Sequence, residues 1–499
     1  MSDLRSKHVP FSLSSGLALF SLALWSGCAK SVTMDFEMIR PAPDWAATDQ
    51  FIQTHQFHSR SRPNIYFVFF DTLRPDLALA RQGSMKRFYD HSWSFEKTYA
   101  TGTATWYSLF SMFHGVPAFL TYDTFPKRRA STHEYGAVYL KTLKKLGYEL
   151  EFYGSDWQCV TREPKKVTSW DWFKMNLYGY QSYLVQHCAS DSQYDQVFSR
   201  NQDEETLAEV TKRLKQTVTT PEGKMVFIGF YNNHNPYKWA AAKSSVNQNV
   251  GEKEDFSEPR TIINRYKNSV VAADEIFGQL ISTIDSLPGH DRAIVVLFSD
   301  HGEMLYEKKG ESGHGGIPYQ EKINTLLSFR FPENSRVRGK VETQSLASMI
   351  DIFPTIFDEL DVQPAFPQEM LPGLSLLRYH RKSAISVQSN QSDPTRSMVL
   401  VNGTKKAWVH VDDDDFYHSR TLTLESVSDL GDSNSHQDCD QARPHECKSR
   451  LISEFPEAIH ELYPSISTQV SYVRAEKESF RLPASRGSHI LKKDKGKSK

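Results

Sequence analysis

A chain of 499 residues carrying 59 Lys and Arg against 60 Asp and Glu has a formal net charge of -1. That balance argues against nucleic acid as the main partner, and the length allows a large core, as one big domain with an appendage or as two to three domains. The basic end Lys492–Lys499 is short and reads as a solvated tail.

The N-terminus reads as a targeting segment. Arg5 and Lys7 precede an apolar stretch from Phe11 to Trp25 that Ser and Gly interrupt, too short for a comfortable membrane span. It ends in Trp25-Ser26-Gly27-Cys28, which resembles a bacterial lipoprotein processing site with Cys28 as the lipidated residue, Trp25 standing where Leu is expected. An ordinary signal peptide and an uncleaved anchor are the other readings. Export, to the bacterial periplasm or cell envelope, fits the remaining cysteines. Cys159 with Cys188 and Cys439 with Cys447 would form two local disulfides in an oxidising compartment, the alternative being four buried thiols. No later apolar stretch is long enough to span a bilayer, so contact with a membrane is expected only through an N-terminal lipid anchor.

Residues 29–62, with Pro41-Ala42-Pro43, read as a tether or a wrapping segment. Asn64–Phe70 is an apolar run of the kind that forms a buried strand, and it ends in Asp71. A helix is expected after Thr105 and another over Tyr135–Leu146, stopped by Gly147. Glu149–Tyr153 alternates like a strand. Asp203–Gln216 has Leu207, Val210 and Leu214 at helical spacing. Met225–Tyr231 is a further strand, and Thr261–Leu287 a long amphipathic helix closed by Pro288-Gly289. The run Ala293–Ser299 is a strand that delivers Asp300-His301-Gly302-Glu303 to its exit. Thr325–Phe331 is strand-like, and Gln344–Leu360 is expected to be helical, with Pro354 kinking it or starting its last turn. Strands alternating with helices over almost this whole span predict an α/β fold with a largely parallel sheet. Beyond about residue 375 the pattern changes. Val399–Val401, Asn402-Gly403 and Ala407–Val411 read as a hairpin of a small α+β subdomain, and Asp412–Asp415 as an exposed acidic turn.

Several strand exits and turns collect metal-type ligands: Asp71, the Thr101–Ser108 segment with Thr105, His234 in Asn232–Tyr237, the pair Asp300 and His301, and His314 in Ser312–Gly316. Carboxylate and imidazole suit a hard-to-borderline divalent cation, and the carboxyl edge of a parallel sheet is where α/β folds place ligands.

Residues 63 to 362 resemble the sulfatase-like branch of the alkaline phosphatase superfamily. Asp71–Asp76 resembles its opening metal motif, Thr105–Gly115 its nucleophile helix, and Leu143–Tyr148 its following helix–strand junction. His234-Asn235-Pro236-Tyr237, Ser299–Glu303 and Gly313–Gly315 match its His-x-Pro-Tyr segment, second metal motif and substrate-binding His. Ser348–Thr355 resembles a structural helix of the family. The resemblance implies a three-layer alkaline-phosphatase-like fold for the catalytic domain, taken as 63–370; the residue pattern places a signal segment at 1–28, a C-terminal subdomain at 371–485 and a basic tail at 486–499. It implies one divalent metal ion (Zn, Ca, Mn or Mg) on Asp71, Asp300 and His301, with Thr105 bridging metal and substrate. His234 and His314 would be catalytic and substrate-binding, and Ser108 and Arg74 would contact the substrate. Formylglycine sulfatases have Cys or Ser, then Pro and Arg, where this chain has Thr105, Tyr107 and Leu109. Gly154-Ser155-Asp156-Trp157 replaces their Gly-Lys-Trp-His run, and Asp71 is followed by Thr72 rather than a second Asp. These departures bring the chain closer to Thr-nucleophile members, the phosphoethanolamine and glycerol-phosphate transferases. The expected activity is a phosphate or phosphonate ester hydrolase or transferase. Sulfuric ester hydrolysis, and binding of an anionic glycan or lipid without turnover, are the alternatives. The substrate would be an anionic ester, a small molecule, lipid head group or glycan, walled by loops at Phe125–Thr132, Trp157–Asp191 and Lys238–Glu258.

Overall fold

The computed structural model describes residues 31–36, 44–121, 137–154, 184–188, 202–216, 223–235, 237, 258–308, 310–337, 339–388, 395–412, 420–431, 435–436 and 443–465. Cys28, Cys159, Cys439 and the side chain of Cys188 lie outside these, as do the first of the three expected substrate loops and most of the other two. Among the described residues no helix is long and apolar enough to cross a membrane.

The strands in chain order are β1 Val32–Asp35, β2 Ile65–Phe70, β3 Trp93–Tyr99, β4 Glu149–Gly154, β5 Leu184–Cys188, β6 Lys224–Phe230, β7 Ile294–Ser299, β8 Met304–Leu305, β9 Ser312–Gly313, β10 Leu327–Arg330, β11 Lys340–Ser348, β12 Ala384–Val387, β13 Thr395–Val401, β14 Lys405–Asp412, β15 Thr421–Asp429 and β16 Ser435–His436. Eight of them form one sheet in the order β11-β3-β10-β7-β2-β6-β4-β5. β10 pairs antiparallel with both β7 and β3, so it alone runs against the other seven.

The period of two along each central strand builds the layers. Ile65, Phe67 and Phe69 of β2 and Met225 and Phe227 of β6 join one buried cluster, on the side of the helices Thr105–His114, Val138–Lys145 and Ile352–Glu359. Tyr66, Val68 and Phe70, with Val226, Ile228 and Phe230, face the helices Ser84–His91, Gln202–Gln216 and Pro259–Asp285. The result is the three-layer α/β/α arrangement that the resemblance implies. Burying each of these large apolar side chains contributes about 1.5–3 kcal/mol before the entropy of ordering the chain is subtracted.

A second, antiparallel sheet runs β1-β15-β14-β13-β12, with β16 on β15. Its β13–β14 hairpin turns at Asn402-Gly403, where Gly403 has φ +84°. β1 lies in the segment expected to be a tether or a wrap: Val32–Asp35 pairs with Leu424–Thr421, and the helix Trp45–Thr54 follows. The expected helix Gln344–Leu360 starts later. Residues up to Ser348 extend β11 along β3, and a capping box between Ser348 and Asp351 begins the helical turns. Pro354 then falls in the first turn of Ile352–Glu359, where its missing N–H is not needed.

Candidate active site and metal centre

Asp71 leaves β2, and Asp300 and His301 leave β7, its parallel neighbour, with Phe70 opposite Ser299. Adjacent parallel exits therefore bring the three side chains together. All three are fully buried, and one ligand atom from each lies within 4.8 Å of the other two. His301 Nε2 is 3.3 Å from Asp300 Oδ2 and 4.0 Å from Asp71 Oδ1. His301 Nδ1 is 2.9 Å from Gly302 O, a carbonyl that can only accept, so Nδ1 carries the proton and the Nε2 lone pair faces the carboxylates.

Asp71 Oδ1 and Asp300 Oδ2 are buried and have no hydrogen-bond partner. Carboxylate oxygens in that state are costly unless a cation sits among them. Burial, together with Asp300 and Glu303, pushes the Asp71 carboxyl well above the usual range. Burial also pushes Asp300 up to about 7, against the Thr72 and His301 amides that donate to it. Two carboxylates, an imidazole lone pair and the adjacent Thr105 hydroxyl form a mixed oxygen and nitrogen donor set that fits a divalent cation.

Thr105 opens the helix Thr105–His114. Its Oγ1 lies 3.2 Å from Asp71 Oδ2 and 3.2 Å from His301 Nε2. Tyr107 N and Ser108 N close the first turn on Ala104 O, and the positive end of the helix dipole lies at Thr105, which favours an anion there.

His234 and His314 complete the cluster. The His314 ring lies 4.7 Å from the rings of both His234 and His301. Burial, then His314, lowers the His234 pKa to about 3, and its Nδ1–H donates to Asn235 O at 2.6 Å. His314 moves the other way. Burial lowers its pKa, but the Glu303 carboxylate, 3.3 Å from Nδ1, outweighs burial and the net shift is upward.

Two residues expected beside the substrate are engaged elsewhere. Ser108 is fully buried and its hydroxyl donates to Gly102 O at 3.2 Å, because it sits on the inward face of its helix. The Arg74 guanidinium, 7% exposed, holds Asp76, Glu307 and the Glu303 carbonyl, so it clamps loops together.

The structure adds residues that motif reading passed over. Glu303, read only as part of a motif, has one oxygen on His314 and the other buried without a partner. Asp203, at the start of Gln202–Gln216, accepts from the Tyr231 and Asn232 amides and fixes the loop before His234. Lys322 is 3% exposed and donates to Gly315 O. Thr72 and Tyr237, next to and three residues beyond predicted site residues, both have φ +56°. Non-glycine residues held in the left-handed region mark backbone constrained by its surroundings.

The Sulfatase family model matches residues 63–362. Arylsulfatase K of Mus musculus is 28% identical over 134 residues, 27% of this chain. The chain spans 23% and 21% of the length of the first two curated relatives it matches. Among solved structures, a protein of glycosaminoglycan metabolism from Bacteroides thetaiotaomicron aligns with TM-score 0.58 and 14% identity over 80% of this chain and 96% of its own. The phosphonate monoester hydrolase of Silicibacter pomeroyi aligns with TM-score 0.57 and 16% identity over 81% of this chain and 97% of its own. These likenesses establish the fold.

Proposed function

This chain belongs to the sulfatase family, and we propose that within it the protein is a metal-dependent hydrolase or transferase of phosphate or phosphonate esters, working through a covalent Thr105 intermediate. One observation carries the reading. The residue at the nucleophile position is a threonine at a helix start, its Oγ1 3.2 Å from both Asp71 and His301. Oxidation of a threonine would give a ketone, so the formylglycine route to sulfate ester hydrolysis is closed to it.

Asp71, Asp300 and His301 would hold a divalent ion, which would supply the charge that lets Thr105 release its proton to solvent before the ester binds and that draws density from the non-bridging oxygens. Thr105 Oγ1 forms a bond to phosphorus as the ester oxygen departs. His314, biased toward its protonated form by Glu303, donates a proton to that oxygen. His234, held neutral with its proton on Nδ1, offers Nε2 to take the proton of the water, or acceptor alcohol, that releases Thr105, and that proton returns to His314, whose ring lies 4.7 Å away, to restore the starting state. Two histidines with pKa values pushed apart thus divide acid and base work. The substrate is an anionic ester, met after export.

The test is a panel of aryl sulfate, phosphate mono- and diesters and phosphonate monoester, each with Zn, Mn, Ca and Mg. Phosphoester or phosphonoester turnover with a phosphoryl or phosphonyl adduct on the Thr105 peptide is the expected result. Thr105→Ala should lose at least about a thousandfold in kcat. Full turnover by Thr105→Ala, or a preference for the aryl sulfate, would overturn it; no turnover with any metal would favour the non-catalytic reading.

A further inference from the structure

Lys322 lies in the short helix Gln320–Ile323, beyond every motif that points to the site. It is 3% exposed. Its ammonium donates to Gly315 O at 2.9 Å, and the next oxygen, on Glu311, is 3.6 Å away. The Tyr319 ring lies 5.6 Å from Nζ. An apolar side chain would fill this space without the cost of burying a charge. Besides its ion pair with the Glu311 carboxylate, the ammonium adds a hold on one carbonyl, and that carbonyl follows His314 directly.

The same residue grips a second loop through its backbone. Lys322 O accepts from Gly302 N at 2.8 Å, and Gly302 follows the metal-type ligand His301. The turn carrying His314 has little rigidity of its own, with Gly313, Gly315 and Gly316 all at positive φ. On its other side it is tied to the nucleophile loop: Gly315 N donates to Thr103 O at 2.6 Å, and Thr103 Oγ1 to Gly316 O at 3.0 Å.

We propose that Lys322 is a positioning residue that fixes His314 against His301 and Thr105, by bridging the Gly315 carbonyl and the Gly302 amide. The proposal rests on the reading of His314 as a reacting group. Lys322 touches no reacting atom and acts through the turn.

The experiment compares wild type, Lys322→Met, His314→Ala and the double variant on 4-nitrophenyl phenylphosphonate with manganese. In parallel, the His314 ring resonances of protein labelled with 15N-histidine, assigned by their loss in His314→Ala, are followed by NMR. Lys322→Met should lower kcat about 10- to 100-fold with KM within about threefold. It should broaden or split the His314 resonances, and it should cost nothing further in the His314→Ala background. A purely structural lysine would give additive losses. Wild-type kcat and a single unshifted His314 resonance in Lys322→Met, or additivity in the double variant, would overturn the proposal. If His314→Ala itself turns over like wild type, the reading of His314 fails first, a distinguishable result. Where the ester is not turned over, the NMR comparison decides alone: an unchanged His314 resonance overturns the proposal.

Discussion

Asp71 and Asp300 bring two raised pKa values into one buried space. A carboxyl whose pKa is raised on folding keeps its proton; the resulting stability is complete below the unfolded value and is lost as pH rises through the folded one, about 7 for Asp300. A divalent ion competes for the same oxygens and needs them deprotonated. Affinity for manganese or zinc should therefore rise steeply from about pH 6 to about pH 8, while the melting temperature of metal-stripped protein falls over that interval. Calorimetric titration at several pH values checks the first and thermal scans the second. A flat affinity profile would mean that these carboxyls are not the ligands.

At the scale of elements, two exits and two loops must meet, and Gly302 shows how tightly. A Cβ there would lie 2.0 Å from the backbone oxygen of Glu321. Gly302→Ala should push the Gln320–Ile323 helix away from the His301 loop and lower metal content and turnover together, at a cost of about 1–3 kcal/mol in stability. Unchanged metal content would show that the close approach is not needed. The legible elements were those with a single physical cause. β2, β6 and β7 are buried on both faces and read as unbroken apolar runs. The end of β11 reads as helix because Ser345–Ser348 are all buried and run straight into the helical turns at Met349, so they show no period of two. The candidate ligands Asp71, Asp300 and His301 and the neighbouring groups Thr105, His234 and His314 are legible because each sits in a short motif at a strand exit or turn. Lys322 and Asp203 are not. Each looks like a surface charge in sequence, and only the packing of distant loops buries it against a backbone partner.

At the scale of the molecule, the two sheets are joined by buried charge. Arg381 donates to Asp351 at 2.7 and 2.8 Å and to Glu461 at 2.7 Å, all within the protein interior. Asp351 stands before the helix Ile352–Glu359, and Glu461 lies in the C-terminal helix Pro456–Leu462. Arg381→Ala would leave two carboxylates buried without their counter-charge, and should cost about 3–5 kcal/mol. Urea unfolding followed by fluorescence measures it. A loss below about 1 kcal/mol would show that water or local rearrangement relieves both acids.

β1 gives the molecule an unusual order of completion. Its four residues come early in the chain, yet their partners in β15 lie at Thr421–Leu424. During synthesis β1 emerges before any strand of the central sheet and has nothing to pair with until nearly four hundred more residues have been made, since Thr33 and Thr423, which share a hydroxyl contact, are 390 positions apart. The α/β unit can condense first, but the outer sheet closes last, and it closes by recapturing a segment made before any strand of the central sheet. A protein trimmed to the family-matched residues 63–362 would lose the whole outer sheet, β1 together with β12 to β16.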